Sequence, residues 1–251
     1  MEVDEALLKQ VYTEQYFNGE EYLNYLEDQA VQQQNFGKRL ETFLNVSGVQ
    51  HPKNALEIGA AYGLFGKVLK ERFPYSEYVG FDVVAEAVEH AKNQLNLDVR
   101  CDDYLAVPID KKVDTVFLWD VIEHLSEPEK FIEKIAKETS ESAWLGITTG
   151  DIGALLPRVQ GRKWRMIHPP SHLHYFSIKT LTQLLNKHGF KVKYVGHPSV
   201  GRSVRLIYFG LFMLNKKPIK LTKYIHEKIP PSWTVGINTF DIMYIIANKK
   251  E

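Results

Sequence analysis

Residues 54–63, Asn-Ala-Leu-Glu-Ile-Gly-Ala-Ala-Tyr-Gly, constrain the fold of this chain more than any other stretch. Residues 55–58 predict a short buried strand, 59–63 a sharp turn, and 64–69 the start of a helix with an apolar face. A strand, a glycine turn and a helix bring backbone N–H groups and a helix N-terminus to one point, where an anionic ligand group is favoured. The next apolar run, residues 78–81, ends in Asp82, 19 positions after Gly63. From there a strand-end carboxylate can take a ribose diol.

The glycine spacing separates nucleotides. A dinucleotide turn, G-x-G-x-x-G, places its second glycine two positions after the first, so that the pyrophosphate can approach closely. Here that position is Ala61, the third would be Leu64, and the pattern is Glu57-x-Gly59-x-x-x-Gly63 with Gly66 beyond. A carboxylate at Glu57 would sit well against a cationic ligand group and badly against a diphosphate, so a ribose-bearing, zwitterionic ligand with a cationic centre fits better than NAD. At Glu57, Gly59 and Gly63 the chain resembles the class I S-adenosylmethionine-dependent methyltransferases, departing from their first motif at Ala61. The resemblance covers roughly residues 50–195 plus the last strand. It implies a doubly wound, mostly parallel seven-stranded α/β sheet of Rossmann-like type and a cofactor site of Glu57, Gly59, Ala60, Gly63, Asp82, Val83, Asp102, Asp103, Trp119 and Asp120. Asp102 would receive the adenine amino group, and Asp103 would use its backbone.

A second anchor lies at the end of the predicted strand 113–118, which runs into Trp119-Asp120-Val121-Ile122-Glu123-His124-Leu125. In open α/β sheets the ligand crevice lies outside the carboxyl ends of the strands, so Trp119, Asp120 and His124 should border it. The D-x-x-E-H-L run resembles the fourth-strand motif of small-molecule methyltransferases such as those of quinone biosynthesis. An imidazole there, with an ordinary pKa of ~6.5, suits general-base work. Ser126 is expected to cap the helix 127–138.

Residues 150–176 do not read as a short connection. They hold glycines and prolines, the basic Arg158, Arg162, Lys163 and Arg165, and then Trp164 and a run from His168 to Phe176. A long loop at the carboxyl edge of a sheet is usually functional. Its basic residues, with Trp164, Tyr175 and Phe176, suit a planar or sugar-like acceptor carrying a phosphate. His172 and His174, two apart, share a face if the segment is extended, and join His124 as candidates for the base. They could bind metal, but no convergent carboxylate or cysteine spacing completes a set, so no metal is expected. Ser177 predicts the N-cap of the helix 177–187 and Gly189 its stop.

The helical region 5–45, broken at Tyr16–Gly19, and strands 98–101, 143–149, 190–195 and 241–247 complete the order. Residues 1–48 form a helical cap, and 49–251 a methyltransferase domain with the acceptor-side loop 150–176 and an insertion at 196–240. In the resembled fold such a cap covers the cofactor cleft, which makes Tyr16 and Phe17 lid residues. The insertion carries an apolar helix from 204 to 214 and a basic stretch: residues 201–230 hold seven Lys/Arg against one acid, Glu227. It suits contact with an anionic membrane or a lipid-linked acceptor, or else packing on the sheet edge or a homodimer contact. The formal net charge of zero argues against nucleic acid, and the acidic N-terminus with the single Cys101 suits a cytoplasmic setting. The expected activity is O- or N-methylation of a sugar, nucleotide-sugar or quinone-like small molecule by S-adenosylmethionine. An NAD-dependent oxidoreductase and a non-catalytic S-adenosylmethionine-binding protein are the rivals.

Overall fold

The computed structural model describes residue 26 and residues 28–213, 219–230 and 233–249. The first half of the predicted cap, with Tyr16 and Phe17, and Lys216 and Lys217 of the basic stretch lie outside these residues. The elements run α1 (Gln29–Ser47), β1 (Asn54–Ile58), α2 (Leu64–Arg72), β2 (Glu77–Phe81), α3 (Ala85–Leu95), β3 (Val99–Arg100), β4 (Val113–Trp119), α4 (Pro128–Glu138) and β5 (Thr139–Gly150). They continue with α5 (Leu155–Gln160), α6 (Ile178–Lys187), β6 (Phe190–Gly196), β7 (Val200–Ser203), α7 (Val204–Phe212), α8 (Lys220–Lys228), β8 (Thr234–Ile237) and β9 (Ile242–Lys249).

Seven strands form one sheet in the order β3-β2-β1-β4-β5-β9-β6. Its first five strands pair in parallel, and β9 runs antiparallel between β5 and β6. This is the doubly wound sheet that the sequence implied. Successive side chains go to opposite faces, and both faces are covered. Phe117, Trp119, Tyr244 and Ile246 pack toward α1, α2 and α3, with Leu40, Phe43 and Phe65. Val116, Leu118, Met243 and Ile245 pack toward α4 and α6, with Ile132, Leu181 and Leu185.

Register sets the position of the site. Ile58 is paired with both Phe81 and Leu118, so Gly59 and Asp82, and Asp120 just after the last paired residue Trp119, leave the sheet at one edge. Of two local cap expectations, one changes and one holds. Glu127, not Ser126, is the N-cap of α4; it makes no side-chain cap bond, and Pro128 opens the helix. Ser177 does cap α6, through a reciprocal pair with Thr180.

The insertion between β6 and β9 contains a two-stranded antiparallel ribbon, β7 with β8, which the glycine-bearing four-residue runs did not announce. Asn35 on α1 clasps it: its amide donates to the Gly201 carbonyl at 3.1 Å and accepts from the Gly201 N–H at 2.7 Å. Among the described residues no helix is long and apolar enough to cross a membrane.

Candidate functional site

The turn after β1 is a clasp. The N–H groups of Gly59 and Ala60 donate to the Phe81 carbonyl at 2.8 and 3.0 Å, and Gly63 donates to Ala60 at 2.8 Å. The Ala61 N–H donates to Asp82 Oδ2 at 2.7 Å, and Val84 donates to Oδ1 at 2.9 Å. Four amides of the turn are thus turned inward, and they are not open to the anionic ligand group that the sequence favoured at this point. Gly59 stands at φ +75°, and a Cβ there would lie 2.3 Å from Val121 Cγ2. That close approach locks the turn against the start of the next site segment. Ala61 also has positive φ, +46°, at the position where the family motif uses glycine.

Asp82 is half-buried just past the end of β2. Burial raises its pKa, and the N–H groups of Val84, Ala61 and Val83 pull it back. With the Ala61 N–H on Oδ2 and the Val84 N–H on Oδ1, the carboxylate keeps lone-pair capacity for a hydroxyl donor. Val83 beside it is 60% exposed and presents an apolar side chain at the rim. Asp102 and Asp103 are exposed on the loop after β3. The Asp103 carboxylate accepts the Leu105 N–H at 2.9 Å, closing its own turn. This edge thus carries a half-buried carboxylate, an exposed apolar side chain and two exposed acids on the neighbouring loop.

Glu57 and Trp119 are placed differently from expectation. Glu57 is 2% exposed beneath the turn, where the Tyr78 hydroxyl donates to its carboxylate. Burial drives its pKa well up, Tyr78 opposes this, and the charge of Asp82 adds to it. A Cβ on Gly66 would meet the Tyr78 ring at 2.6 Å, so this glycine makes room for the Tyr78–Glu57 pair under α2. Glu57 therefore shapes the loop from below and does not face a cationic group in the cleft, because both faces of a central parallel strand are covered. Trp119 is likewise in the core, 5.2 Å from the Phe65 ring and 5.5 Å from Tyr244, with the Arg39 guanidinium 5.5 Å from its ring.

Beyond β4 lies a cleft of about 340 Å³, lined among others by Arg39, Asp120, Glu123, His124, Met166 and His172. Arg39, reaching from α1, binds Asp120 at 2.9 Å. Burial alone would raise Asp120, but Arg39, with help from Thr148 and His124, holds it below the usual carboxylate range. Glu123 is 2% exposed, and neither of its carboxylate oxygens has a hydrogen-bond partner. Burial first, and then the charge of Asp120, push its pKa up to about 8, against its own N–H and the Thr149 hydroxyl, which lie nearby but outside hydrogen-bond geometry, and against Arg39.

His124 and His172 meet here with ring centroids 4.6 Å apart. The Nδ1 of His124 is 2.9 Å from the Ser171 carbonyl, and that of His172 is 2.7 Å from the Met166 carbonyl. Each ring is therefore the Nδ1–H tautomer when neutral, with its lone pair on Nε2. Burial lowers the His124 pKa, against the Ser171 carbonyl and Asp120. His174 is not part of this group. The N–H groups of Leu173 and His174 both donate to the Glu123 carbonyl, at 2.9 and 3.0 Å, which bends the segment out of the extended form. The His174 ring lies 3.4 Å from the Ser126 carbonyl instead.

Trp164 is a buried anchor and not an acceptor platform. Its Nε1 donates to Asp241 Oδ2 at 2.7 Å, while Arg165 and Thr239 bind Oδ1. Asp241, at the foot of β9, thereby pins the 150–176 loop to the sheet. Phe176 packs into the core toward α6, and Tyr175 is exposed. The expectation of an aromatic acceptor platform fails for Trp164 and Phe176 because both are needed to fix a long loop. Sequence reasoning missed Glu123, Arg39 and Asn35. A polar residue on the inner face of a helix that otherwise buries Phe36, Leu40 and Phe43 was the available signal for the last two.

A family model described as "methyltransferase domain" matches residues 30–195. No curated protein matches the sequence. Many solved structures share the fold. Magnesium protoporphyrin IX methyltransferase from Synechocystis PCC 6803, solved with bound S-adenosylhomocysteine, superposes with a TM-score of 0.62 at 14% identity, over 98% of this chain and 100% of that one. An S-adenosylmethionine-dependent methyltransferase from Archaeoglobus fulgidus gives 0.58 at 18% identity, over 98% and 100%. A [4+2]-cyclase gives 0.58 at 14% identity, over 85% and 80%.

Proposed function

The chain belongs to the methyltransferase domain family, its cofactor is S-adenosylmethionine, and on that footing we propose that it methylates a hydroxyl of a small acceptor seated in the cleft beyond β4. The observation that carries this reading is the His124–His172 pair lining that cleft. Nitrogen nucleophiles can arrive with a lone pair ready, whereas a hydroxyl must shed a proton, so two proton-accepting rings favour oxygen.

When bound, the cofactor supplies a methyl on a positive sulfur, so that the acceptor O–C bond forms as the C–S bond breaks and the electron pair remains on sulfur. Asp82 would hold the ribose hydroxyls, Val83 the base face and Asp102 its exocyclic amine. Gly59, Ala60 and Gly63 keep the turn tight so that nothing projects into this space, with Glu57 supporting from beneath. Asp120, kept charged by Arg39, marks the boundary between cofactor and acceptor. His124 and His172 handle the acceptor proton. The remaining demand is alignment and exclusion of water.

A further observation favours an acceptor with an anionic or lipid part. The helix α5 exposes Leu155 and Val159 beside Arg158. The helix α7, Val-Arg-Leu-Ile-Tyr-Phe-Gly-Leu-Phe, has no buried residue, and Leu221, Tyr224 and Trp233 are exposed near Lys220 and Lys223. Apolar and basic side chains so interleaved suit an anionic lipid surface.

Calorimetric titration with S-adenosylmethionine and S-adenosylhomocysteine, with NAD as control, tests the cofactor site. Both sulfur ligands should bind and NAD should not, and Asp82→Ala should weaken them by at least tenfold. His124→Ala and His172→Ala should lower turnover of a hydroxyl acceptor by about a hundredfold or more at unchanged cofactor affinity. Full activity in both variants would defeat the assignment. Cosedimentation with phosphatidylglycerol but not phosphatidylcholine vesicles is expected, and equal absence from both would remove the membrane reading.

A further inference from the structure

We propose that Glu123, His124 and His172 form a binding site for a divalent first-row transition-metal cation at the acceptor end of the cleft. Each residue offers one ligand atom, and the three atoms lie within 4.8 Å of one another. Glu123 comes from the turn after β4 and His172 from the 150–176 loop, 49 positions later. The carboxylate that local spacing around His172 did not supply is thus delivered by the fold.

Three observations point to a cation. The first is Glu123. A carboxylate that is 2% exposed, with no hydrogen bond at either oxygen, stands against the rule that buried polar groups are satisfied. A positive charge beside it removes that cost. The second is the way the two rings are held. Metal-binding imidazoles characteristically present one nitrogen to the ion while the other donates to a carbonyl, which fixes the ring. Here Nδ1 of both rings faces a backbone carbonyl, at 2.9 and 2.7 Å. The third is the joining of the two segments. The Glu123 carbonyl accepts the N–H groups of Leu173 and His174, and His124 binds the carbonyl of Ser171. The backbones that carry the three ligands are therefore fixed to each other before any ion enters.

Two imidazole nitrogens and one carboxylate suit borderline ions such as Zn²⁺, Co²⁺ or Fe²⁺, and not Ca²⁺ or Mg²⁺, which prefer oxygen. Ligand bonds of ~2.0–2.1 Å place tetrahedral ligand atoms about 3.3 Å apart, so side-chain rotations of about 1 Å would close the set. Three protein ligands leave at least one position open, and the cleft that these residues line lies in front of it. The proposal rests on the hydroxyl-acceptor reading above and deepens it: with a cation bound, the two rings act as its ligands and no longer accept the proton themselves, and the cation would hold the acceptor oxygen and lower its pKa so that the proton passes to solvent.

The test uses the full-length, untagged protein after dialysis against chelator. Zn²⁺ is titrated calorimetrically, and Co²⁺ is titrated by its visible d–d absorption, which is intense only in a low-coordinate site. One equivalent should bind in each case. His172→Ala and the near-isosteric Glu123→Gln should each weaken binding by tenfold to a hundredfold, while binding S-adenosylmethionine as the wild type does, which shows that they are folded. Absence of Zn²⁺ and Co²⁺ binding by a wild-type protein that binds S-adenosylmethionine overturns the site and leaves the methyltransferase reading intact. Binding undiminished in both variants overturns it too. Failure of the wild type to bind S-adenosylmethionine would count against the enzyme reading instead, whatever the metal result.

Discussion

Gly59→Ala tests the turn on which the site depends. At φ +75° an alanine adopts a left-handed conformation that costs an L-residue about 1–2 kcal/mol. Its Cβ would also lie 2.3 Å from Val121 Cγ2 and 3.1 Å from Cγ1. Val121 is β-branched and stiff, so the overlap has to be absorbed by backbone shifts, at about 1–3 kcal/mol. The sum is about 2–5 kcal/mol, and for a chain of this size each kcal/mol lowers Tm by about 2–4 °C. A fall of about 4–20 °C in calorimetry is expected, with cofactor affinity falling because the amides of Gly59 and Ala60 no longer meet the Phe81 carbonyl. The double variant Gly59→Ala/Val121→Ala separates the two contributions. It should regain the overlap part, measured against Val121→Ala alone, and keep the conformational part. An unchanged Tm in Gly59→Ala would refute the reasoning outright. A double variant with no recovery would show that Val121 is not the obstacle.

Ala61 offers the opposite experiment. At φ +46° it carries a strain that glycine lacks, and after glycine's own entropic cost Ala61→Gly should stabilise by about 0.5–1 kcal/mol in denaturant unfolding. Arg39→Met leaves Asp120 without its cation, and because the Asp120 side chain is 35% exposed the loss should be nearer 1–2 kcal/mol than the 3–5 typical of a fully buried pair. An Arg39→Met/Asp120→Asn double variant should recover part of it. Asp241 is held below its usual range by Thr239, Trp164 and Arg165 against the opposing effect of burial. A depressed folded-state pKa means that its stabilisation is complete above the unfolded value of ~3.9 and is lost as pH falls through the folded value. Wild-type Tm should therefore drop below about pH 4 more steeply than that of Asp241→Asn, whose Tm at pH 7 should already be lower.

The sheet was legible because its strands are short apolar runs with turn residues after them. Residues 113–118 could hardly be anything else, and the order of Gly59, Asp82, Asp102 and the 119–125 run reproduces that of a known architecture. What could not be read was direction. Glu57 and Asp82 both stand at strand ends, yet one is sealed beneath α2 by Tyr78 and only the other reaches the cleft. Trp164 sits among glycines, prolines and basic residues, a composition that suggests an exposed ligand contact, and its burial depends on Asp241, 77 positions away. The His124–His172 meeting and the unpaired Glu123 arise from loop closure across 48 and 49 residues, and periodicity has nothing to say at that range. His172 and His174 were expected to share a face because alternation holds only for extended backbone, which the two bonds to the Glu123 carbonyl prevent.

The helix α1 has a consequence for how parts of the molecule communicate. Within little more than one turn, Asn35 grips the insertion at Gly201, the Arg39 side chain grips Asp120, and the Arg39 carbonyl takes the hydroxyl of Tyr244 on β9. A rigid helix gripped at two points one turn apart passes any slide or roll at one grip on to the other. A ligand that tightens the Asp120 end must, by thermodynamic reciprocity, favour the seated insertion by the same free energy with which the seated insertion favours that ligand. Docking of α7 and α8 against an outside surface and filling of the cleft would then be two readings of a single equilibrium.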